Sequence, residues 1–188
     1  SCAPFDLACD PPLSEAISGA DGRFTIDVYE GFRGHFYAPP PASWPEMAPI
    51  YLQVLPPPTA GEENLAGNLN LASMAELESI VSVLDKERKP GFGAIFFTAF
   101  DCDGNRAKDI SVTPDTVDPD TFAVYVNDNG FPSATLVGTS ARGEGAIANV
   151  PPGYITLRGI SLEAGLYFEE TVLVVADAIT GIPIVPSP

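Results

Sequence analysis

The chain has 188 residues, with 25 acidic and nine basic side chains, and its formal net charge at pH 7 is −16. This charge repels the phosphate backbone of nucleic acids and the surface of anionic lipids, so we expect neither as a partner. Apolar residues make up 45% of the chain, which is enough for a folded core, and no apolar run reaches the ~20 residues that span a bilayer.

The cysteines indicate the compartment. Cys2 and Cys9 lie seven positions apart among prolines, a spacing that suits a small disulfide loop formed in an oxidising environment, with Cys102 left free. Two alternatives stay open: three unrelated thiols, or a lipidated Cys2. The chain opens without Met and shows no signal peptide, which leaves open that one has already been removed. The sequence therefore predicts a secreted, periplasmic or cell-surface protein.

The first part of the chain reads as short strands. Residues 23–29 alternate apolar and polar side chains, and residues 34–38 and 50–55 form further strand-like runs bounded by triple prolines. We interpret residues 1–60 as a partial first β-sandwich repeat. His35, the only histidine, excludes zinc sites that need two or three histidines in one chain, and we expect it to pack on its strand.

Two aromatic residues near the first strands are candidates for stacking on a sugar ring. Tyr37 precedes a proline-rich loop, and Trp44 lies within that loop. A proline-rich loop can hold an aromatic ring rigidly in solvent, where its apolar face is available to a glycan. The alternative, which the sequence favours, is that Trp44 caps the end of the core.

Residues 61–91 read as a linker that contains one amphipathic helix, at about residues 73–86. Leu77, Ile80, Val81 and Leu84 fall on one helical face. Ser73 and the glutamate three positions later form a capping box, which predicts where the helix starts. We expect the apolar face to dock on the second half of the chain, because an isolated helix would leave it in water.

Residues 92–188 predict a seven-stranded β-sandwich. The evidence is a series of short strand-like runs separated by Gly, Asn, Asp and Pro turns. The runs are residues 94–100, 109–113, 121–126, 134–139, 144–150, 154–160 and 166–176.

A short internal repeat relates the two halves. Residues 20–28 match residues 141–150 at Ala, Gly and Ile, and both stretches run on into a Gly-aromatic pair. The segment 101–112 resembles the opening turn of the carboxypeptidase regulatory-like, or transthyretin-like, family. The segment 141–157, with its Val-Pro-Pro-Gly-Tyr run, is similar to that family's second motif.

This resemblance implies transthyretin-like (prealbumin-like) β-sandwich repeats with the helix between them. It also implies a non-catalytic extracellular or periplasmic module that stabilises partners, binds glycans or acts as a spacer. The first repeat lacks an opening strand, so we expect its exposed edge to pair with another strand.

Catalytic and metal-binding patterns are weak. The pairs Glu62/Glu63, Asp118/Asp120 and Glu169/Glu170 could serve a hydrolase, but nothing distinguishes them from surface charge. The run from Asp101 to Asn105 resembles the start of a calcium loop, yet it lacks the later Gly and Glu ligands. Only an irregular calcium site among Asp101, Asp103 and Asp128 stays open. We therefore expect no cofactor and no metal.

The sequence as a whole predicts an all-β, non-enzymatic module for adhesion, for binding a protein or polysaccharide of a bacterial cell envelope, or for structural spacing. Two alternatives stay open. One is an accessory domain of a larger secreted peptidase or hydrolase, and the other is a carboxylate-based hydrolase.

Overall fold

The computed structural model of the protein describes residues 1–2, 10–61, 72–82, 84–163 and 165–186. Within these residues the fold is mainly β, with two sheets and one short helix, so the all-β expectation is confirmed. None of the described helices has the length and apolar character needed to cross a membrane. The elements are β1 (His35–Ala38), β2 (Ile50–Gln53), α1 (Met74–Ser82), β3 (Gly93–Ala99), β4 (Ile110–Pro114), β5 (Phe122–Val126), β6 (Pro132–Ser133), β7 (Glu144–Val150), β8 (Gly153–Ser161), β9 (Gly165–Val174) and β10 (Ile179–Ile184).

The larger sheet has seven strands in the order β1-β2-β10-β3-β7-β5-β6, and the smaller sheet has three in the order β4-β8-β9. The pairs within the sheets are antiparallel, except that β10 runs parallel to both of its neighbours, β2 and β3. Strands β1 and β2 come from the stretch expected to form a first repeat. They do not form a sheet of their own among the described residues but extend the sheet that the second stretch builds.

The main core lies between the two sheets. On β3, alternate residues are buried, and the side chains of Ile95, Phe97 and Ala99 point at the smaller sheet. The smaller sheet supplies the opposite wall, and the buried residues from both sheets form one cluster. Its largest fully buried members include Ile95, Ile147, Val150, Leu157, Val172 and Ile184.

The helix covers the other face of the larger sheet. Leu77 packs with Ala48, Ile50 and Ile179 in a second buried cluster, and Phe96, which points away from the main core, packs against it. The predicted helix is confirmed, although it ends at Ser82 instead of about residue 86. The capping box is confirmed as well. The Glu76 carboxylate accepts the Ser73 N–H at 2.7 Å, and the Ser73 hydroxyl accepts the Glu76 N–H at 3.2 Å.

Three strand expectations differ from the structure. Residues 23–29 form no strand and are mostly exposed, because alternation alone does not provide a neighbouring strand to take the backbone hydrogen bonds. The expected strand 134–139 is replaced by the two-residue β6. Strand β10 was not predicted because it contains Gly181 and Pro183. Proline is tolerated there because β2 pairs with β10 only as far as Gly181, which leaves β3 as the one neighbour of Pro183.

The free edge of β1 is partly paired within the chain. Cys2 and His35 form an antiparallel bridge, in which Cys2 N donates to His35 O at 2.8 Å and His35 N donates to Cys2 O at 3.3 Å. His35 is buried, as expected for a strand histidine, and its ring lies 5.4 Å from that of Tyr51.

Candidate binding surface

The loop between β1 and β2, residues 39–49, presents the only tryptophan of the chain to solvent. Trp44 is 57% exposed, so the expectation that it caps the core is not met. Two turns fix its backbone: Trp44 N donates to Pro41 O at 2.8 Å, and Met47 N donates to Trp44 O at 3.2 Å. Prolines on either side restrict the backbone further, so the ring is held out without being packed.

The same loop is attached to the start of helix α1. Met47 and Ser73 form an antiparallel bridge, and Ala48 N donates to Ala72 O at 2.9 Å. Met74 N donates to Glu46 O at 3.1 Å. These bonds tie the loop to the capped helix, so the position of Trp44 depends on two elements of regular structure as well as on the loop.

Tyr37 is held by its neighbour across the β1–β2 hairpin. Tyr37 and Tyr51 are directly opposite in the register, and their rings stack with centroids 4.8 Å apart and an interplanar angle of 29°. Tyr51 is buried, whereas Tyr37 is 38% exposed. Burial, with a smaller contribution from Tyr37, raises the pKa of Tyr51. The stack therefore fixes the exposed ring of Tyr37.

Trp44 and Tyr37 thus belong to one hairpin, as their order in the sequence indicated, but each is positioned separately. No ring contact joins the two among the residues that the structure describes. We call the exposed parts of Trp44 and Tyr37 the aromatic hairpin surface. Few charges lie near it along the chain, since no Lys or Arg occurs between residues 34 and 85, and Glu46 is the only acid between residues 34 and 61.

The carboxylate pairs considered for hydrolysis are engaged in ion pairs. Asp118 and Asp120 both contact Lys89, at 2.8 and 3.4 Å. The Lys89 ammonium lowers the pKa of Asp118. Glu169 lies 2.6 Å from Arg158, and the neighbouring Glu170 lies 4.0 Å from a different arginine. The third pair, Glu62/Glu63, lies outside the described residues.

The turn that resembles a calcium loop is closed by its own hydrogen bonds. Asp101 Oδ1 accepts hydrogen bonds from the N–H groups of Asp103 and Asn105 at 3.0 and 2.8 Å. These bonds lower the pKa of Asp101, and the bond from Asn105 has the largest effect. Asp128 accepts a backbone N–H of another loop, that of Ala141. In the described part of the chain, no group of three or more His, Cys, Asp or Glu side chains is arranged to hold a metal ion.

The described residues include two of the three cysteines. Cys2 is buried and disulfide-bonded, and Cys102 is free and exposed. Cys9 lies outside the described residues, so its pairing with Cys2 stays a prediction.

A small cavity between α1 and the larger sheet was not foreseen from the sequence. It measures about 30 Å³ and is lined mainly by apolar side chains, among them Leu77, Phe96 and Val124, with Arg88 and Asp177 at its polar side. Such a volume holds one or two water molecules at most, which is too little for a sugar ring. The aromatic hairpin surface is therefore the better candidate for ligand contact.

No family model, curated protein or solved structure matches this chain.

Proposed function

We propose that this chain is a non-enzymatic module of a secreted or cell-envelope protein, and that it binds a neutral polysaccharide through the aromatic hairpin surface. The observation that carries the proposal is the exposure of Trp44 on a loop fixed by turns, prolines and the helix cap. An exposed indole face covers the C–H face of a pyranose ring without requiring the loop to order on binding.

Charge supports a neutral ligand over an acidic one. The chain carries a net charge of −16, and the surface itself has no basic residue nearby in sequence. Sulfated and uronic-acid polysaccharides would therefore meet repulsion without a compensating ion pair. Neutral glucans or similar polymers meet no such penalty.

The engagement of the carboxylates supports a binding role over hydrolysis. Asp118 and Glu169 each form a close ion pair with a base, and neither pair adjoins Trp44 in the chain. His35 is buried and has no exposed face for substrate. The buried disulfide-bonded Cys2 supports an oxidising, extracytoplasmic compartment.

The test is direct binding followed through Trp44 itself. Because Trp44 is the only tryptophan, tryptophan fluorescence, excited at a wavelength where the six tyrosines do not absorb, reports this ring alone. We expect soluble neutral polysaccharides, such as a β-glucan, amylose or a mannan, to shift the emission to shorter wavelength, and a sulfated polysaccharide to leave it unchanged. Affinity electrophoresis should show that Trp44→Ala weakens retention by about tenfold or more, the equivalent of 1.4 kcal/mol.

Phe131→Ala is the matched control, since Phe131 is also a well-exposed aromatic residue and lies in the β5–β6 turn, at the opposite edge of the larger sheet from β1 and β2. It should leave retention unchanged. Tyr37→Ala should weaken binding less than Trp44→Ala, because Tyr37 is more covered. Equal retention of the native protein and Trp44→Ala would reject the proposed surface, and release of reducing sugar from any bound polymer would reject the non-enzymatic role.

A further inference from the structure

The turn between β8 and β9 exposes aliphatic side chains at the opposite end of the sandwich from Trp44. Ile160 and Leu166 are directly opposite in the β8–β9 register, so their side chains share one face of the smaller sheet. They are 40% and 66% exposed, and Leu162, in the turn itself, is 54% exposed. Three large aliphatic side chains so close together are unusual on a solvated surface.

A second loop adds to this surface. Leu162 N donates to Asp109 O at 3.0 Å, and Asp109 N donates to Thr139 O at 2.8 Å. Gly138 packs on the same backbone, because a Cβ at its position would lie 3.4 Å from Asp109 C. The residues just before Gly138 are Leu136 and Val137, both exposed. We call Leu136, Val137, Ile160, Leu162 and Leu166 the aliphatic end.

The register places the aliphatic end away from the aromatic hairpin surface. Ile50, which follows the Trp44 loop, and Ala94 at the start of β3 both align with Ile179. At the other end of β3, the next residue, Phe100, accepts the hydroxyl hydrogen bond of Tyr167, the neighbour of Leu166. The length of β3, seven residues or ~20 Å, therefore lies between the Trp44 loop and the aliphatic end along the strand direction.

The charges around the aliphatic end are mostly negative. Lys108 is paired with Asp109 at 3.6 Å, and Arg158 is paired with Glu169 on the same face as Ile160. Glu163, in the turn beside Leu162, has no ion-pair partner among the described residues. Both bases are paired with acids, and Glu163 is the acid of this set that has no ion-pair partner among the described residues.

We propose that the aliphatic end docks a protein segment that carries both large apolar side chains and Lys or Arg. The apolar side chains would cover the leucines, and a base would reach Glu163, which has no ion-pair partner in the part of the chain that the structure describes. Charge complementarity argues against the other occupants: a second copy of this chain would bring another net charge of −16, and an anionic membrane would be repelled. The module would then hold a glycan at one end and a basic protein segment at the other.

The experiment uses two labelled peptides as probes, one of alternating leucine and lysine and the other of alternating leucine and glutamate. Fluorescence anisotropy should detect binding of the leucine–lysine peptide only. The double variant Leu162→Ser/Leu166→Ser should bind at least about fivefold more weakly than the native protein, because it removes two of the three most exposed side chains of the aliphatic end. Glu163→Gln should weaken binding and flatten its salt dependence.

Ile17→Ser/Val117→Ser is the matched control, since it also replaces two exposed aliphatic residues, outside this surface and without any change in charge. It should leave binding unchanged. Equal binding of the native protein and the Leu162/Leu166 variant would show attraction by net charge alone and would overturn the proposal. Binding of the leucine–glutamate peptide would also overturn the proposal. So would a Leu162→Ser/Leu166→Ser variant that no longer binds phosphatidylcholine vesicles but still binds the leucine–lysine peptide, because the surface would then be a lipid site.

Discussion

The backbone N–H of Val112 donates a hydrogen bond to the hydroxyl of Tyr125 at 3.0 Å, across the gap between the two sheets. Val112 lies on β4, at one edge of the smaller sheet, whereas Tyr125 lies on β5 of the larger sheet, its ring 6.0 Å from that of Phe97. At the other edge, Thr180 donates its hydroxyl to Leu173 O on β9 at 2.7 Å. Side chains of the larger sheet thus form hydrogen bonds with backbone groups at both edges of the smaller sheet. Those groups could otherwise pair with another chain.

Replacement of Tyr125 by phenylalanine should therefore destabilise the fold although the ring is kept. The buried Val112 N–H would lose its partner, at a cost of about 1–3 kcal/mol in the free energy of unfolding. Urea denaturation followed by circular dichroism measures the change. Tyr29→Phe, at an exposed tyrosine, should stay within about 0.5 kcal/mol of the native value. If the two variants were equally stable, the bond between the sheets would contribute nothing.

Leu77 should be the residue on which the docking of helix α1 depends most. It is buried against Ile50 and Ile179, which join β2 and β10 under the helix. Leu77→Ala should cost about 2–5 kcal/mol, since the neighbouring small cavity would grow instead of collapsing. Val117→Ala, at an exposed position, is the control and should have almost no effect in thermal unfolding. An unchanged melting temperature for Leu77→Ala would mean that the helix is not docked in solution.

Acid should weaken the attachment of the segment that follows the helix, through Asp177. Arg88 donates a hydrogen bond to the Asp177 carboxylate at 2.7 Å, and the Gly91 N–H donates to the same group. These bonds lower the pKa of Asp177 below its usual 3.8, and the bond from Arg88 has the larger effect. Since the folded pKa is the lower one, the stabilisation is present above about pH 3.8 and disappears as the pH falls through the folded pKa. Half of the side chain is exposed, so we expect no more than about 1 kcal/mol.

The variant that isolates this effect is Asp177→Asn, because asparagine tolerates the left-handed backbone, φ 54°, at this position. The difference in melting temperature between native and variant should be largest above pH 4 and should vanish towards pH 2. Asp85→Asn is matched in backbone conformation, φ 55°, and Asp85 has no ion-pair partner in the described part of the chain. A difference that grows as the pH falls would contradict the assignment.

The features predicted correctly from the sequence are those that depend on neighbours in the chain. The Ser73/Glu76 cap involves residues three positions apart, and β7 has the predicted bounds because its flanking turns are local. The prediction of a strand at residues 23–29 is wrong because alternation of apolar and polar residues does not specify a pairing partner. The exposure of Trp44 was one of two open alternatives, and the stack of Tyr37 on Tyr51 depends on a register that composition cannot supply.

The predicted disulfide between Cys2 and Cys9 can be checked by counting thiols. Unfolded, non-reduced protein should show one free thiol, that of the exposed Cys102. Because Cys2 is buried and pairs with the backbone of His35, opening the loop should also lower stability, by about 2–3 kcal/mol for a loop of this length. Peptide mapping that found Cys102 in the bridge, or a count of three thiols, would exclude the assignment.

The side-chain amide of Asn149 should stabilise the two loops that pack around it. It is buried at the end of β7, and its backbone is left-handed, with φ 55°. Its Nδ2 donates to Glu87 O at 2.9 Å and to Asp120 O at 3.1 Å, while its Oδ1 accepts Lys89 N at 2.8 Å. One side chain therefore ties the segment after the helix to the loop before β5.

Asn149→Asp keeps the size and the backbone preference of the residue but replaces the donor with an oxygen that faces two carbonyls. We expect a loss of about 2 kcal/mol or more at pH 7, part of which should return at low pH, where a protonated carboxyl can donate one bond again. Chemical denaturation at pH 7 and pH 4 measures both effects. Asn129→Asp, in an exposed turn, is the control and should show neither the loss of stability at pH 7 nor its partial return at pH 4. Equal stability of Asn149→Asp and the native protein would mean that the amide does not hold these loops together.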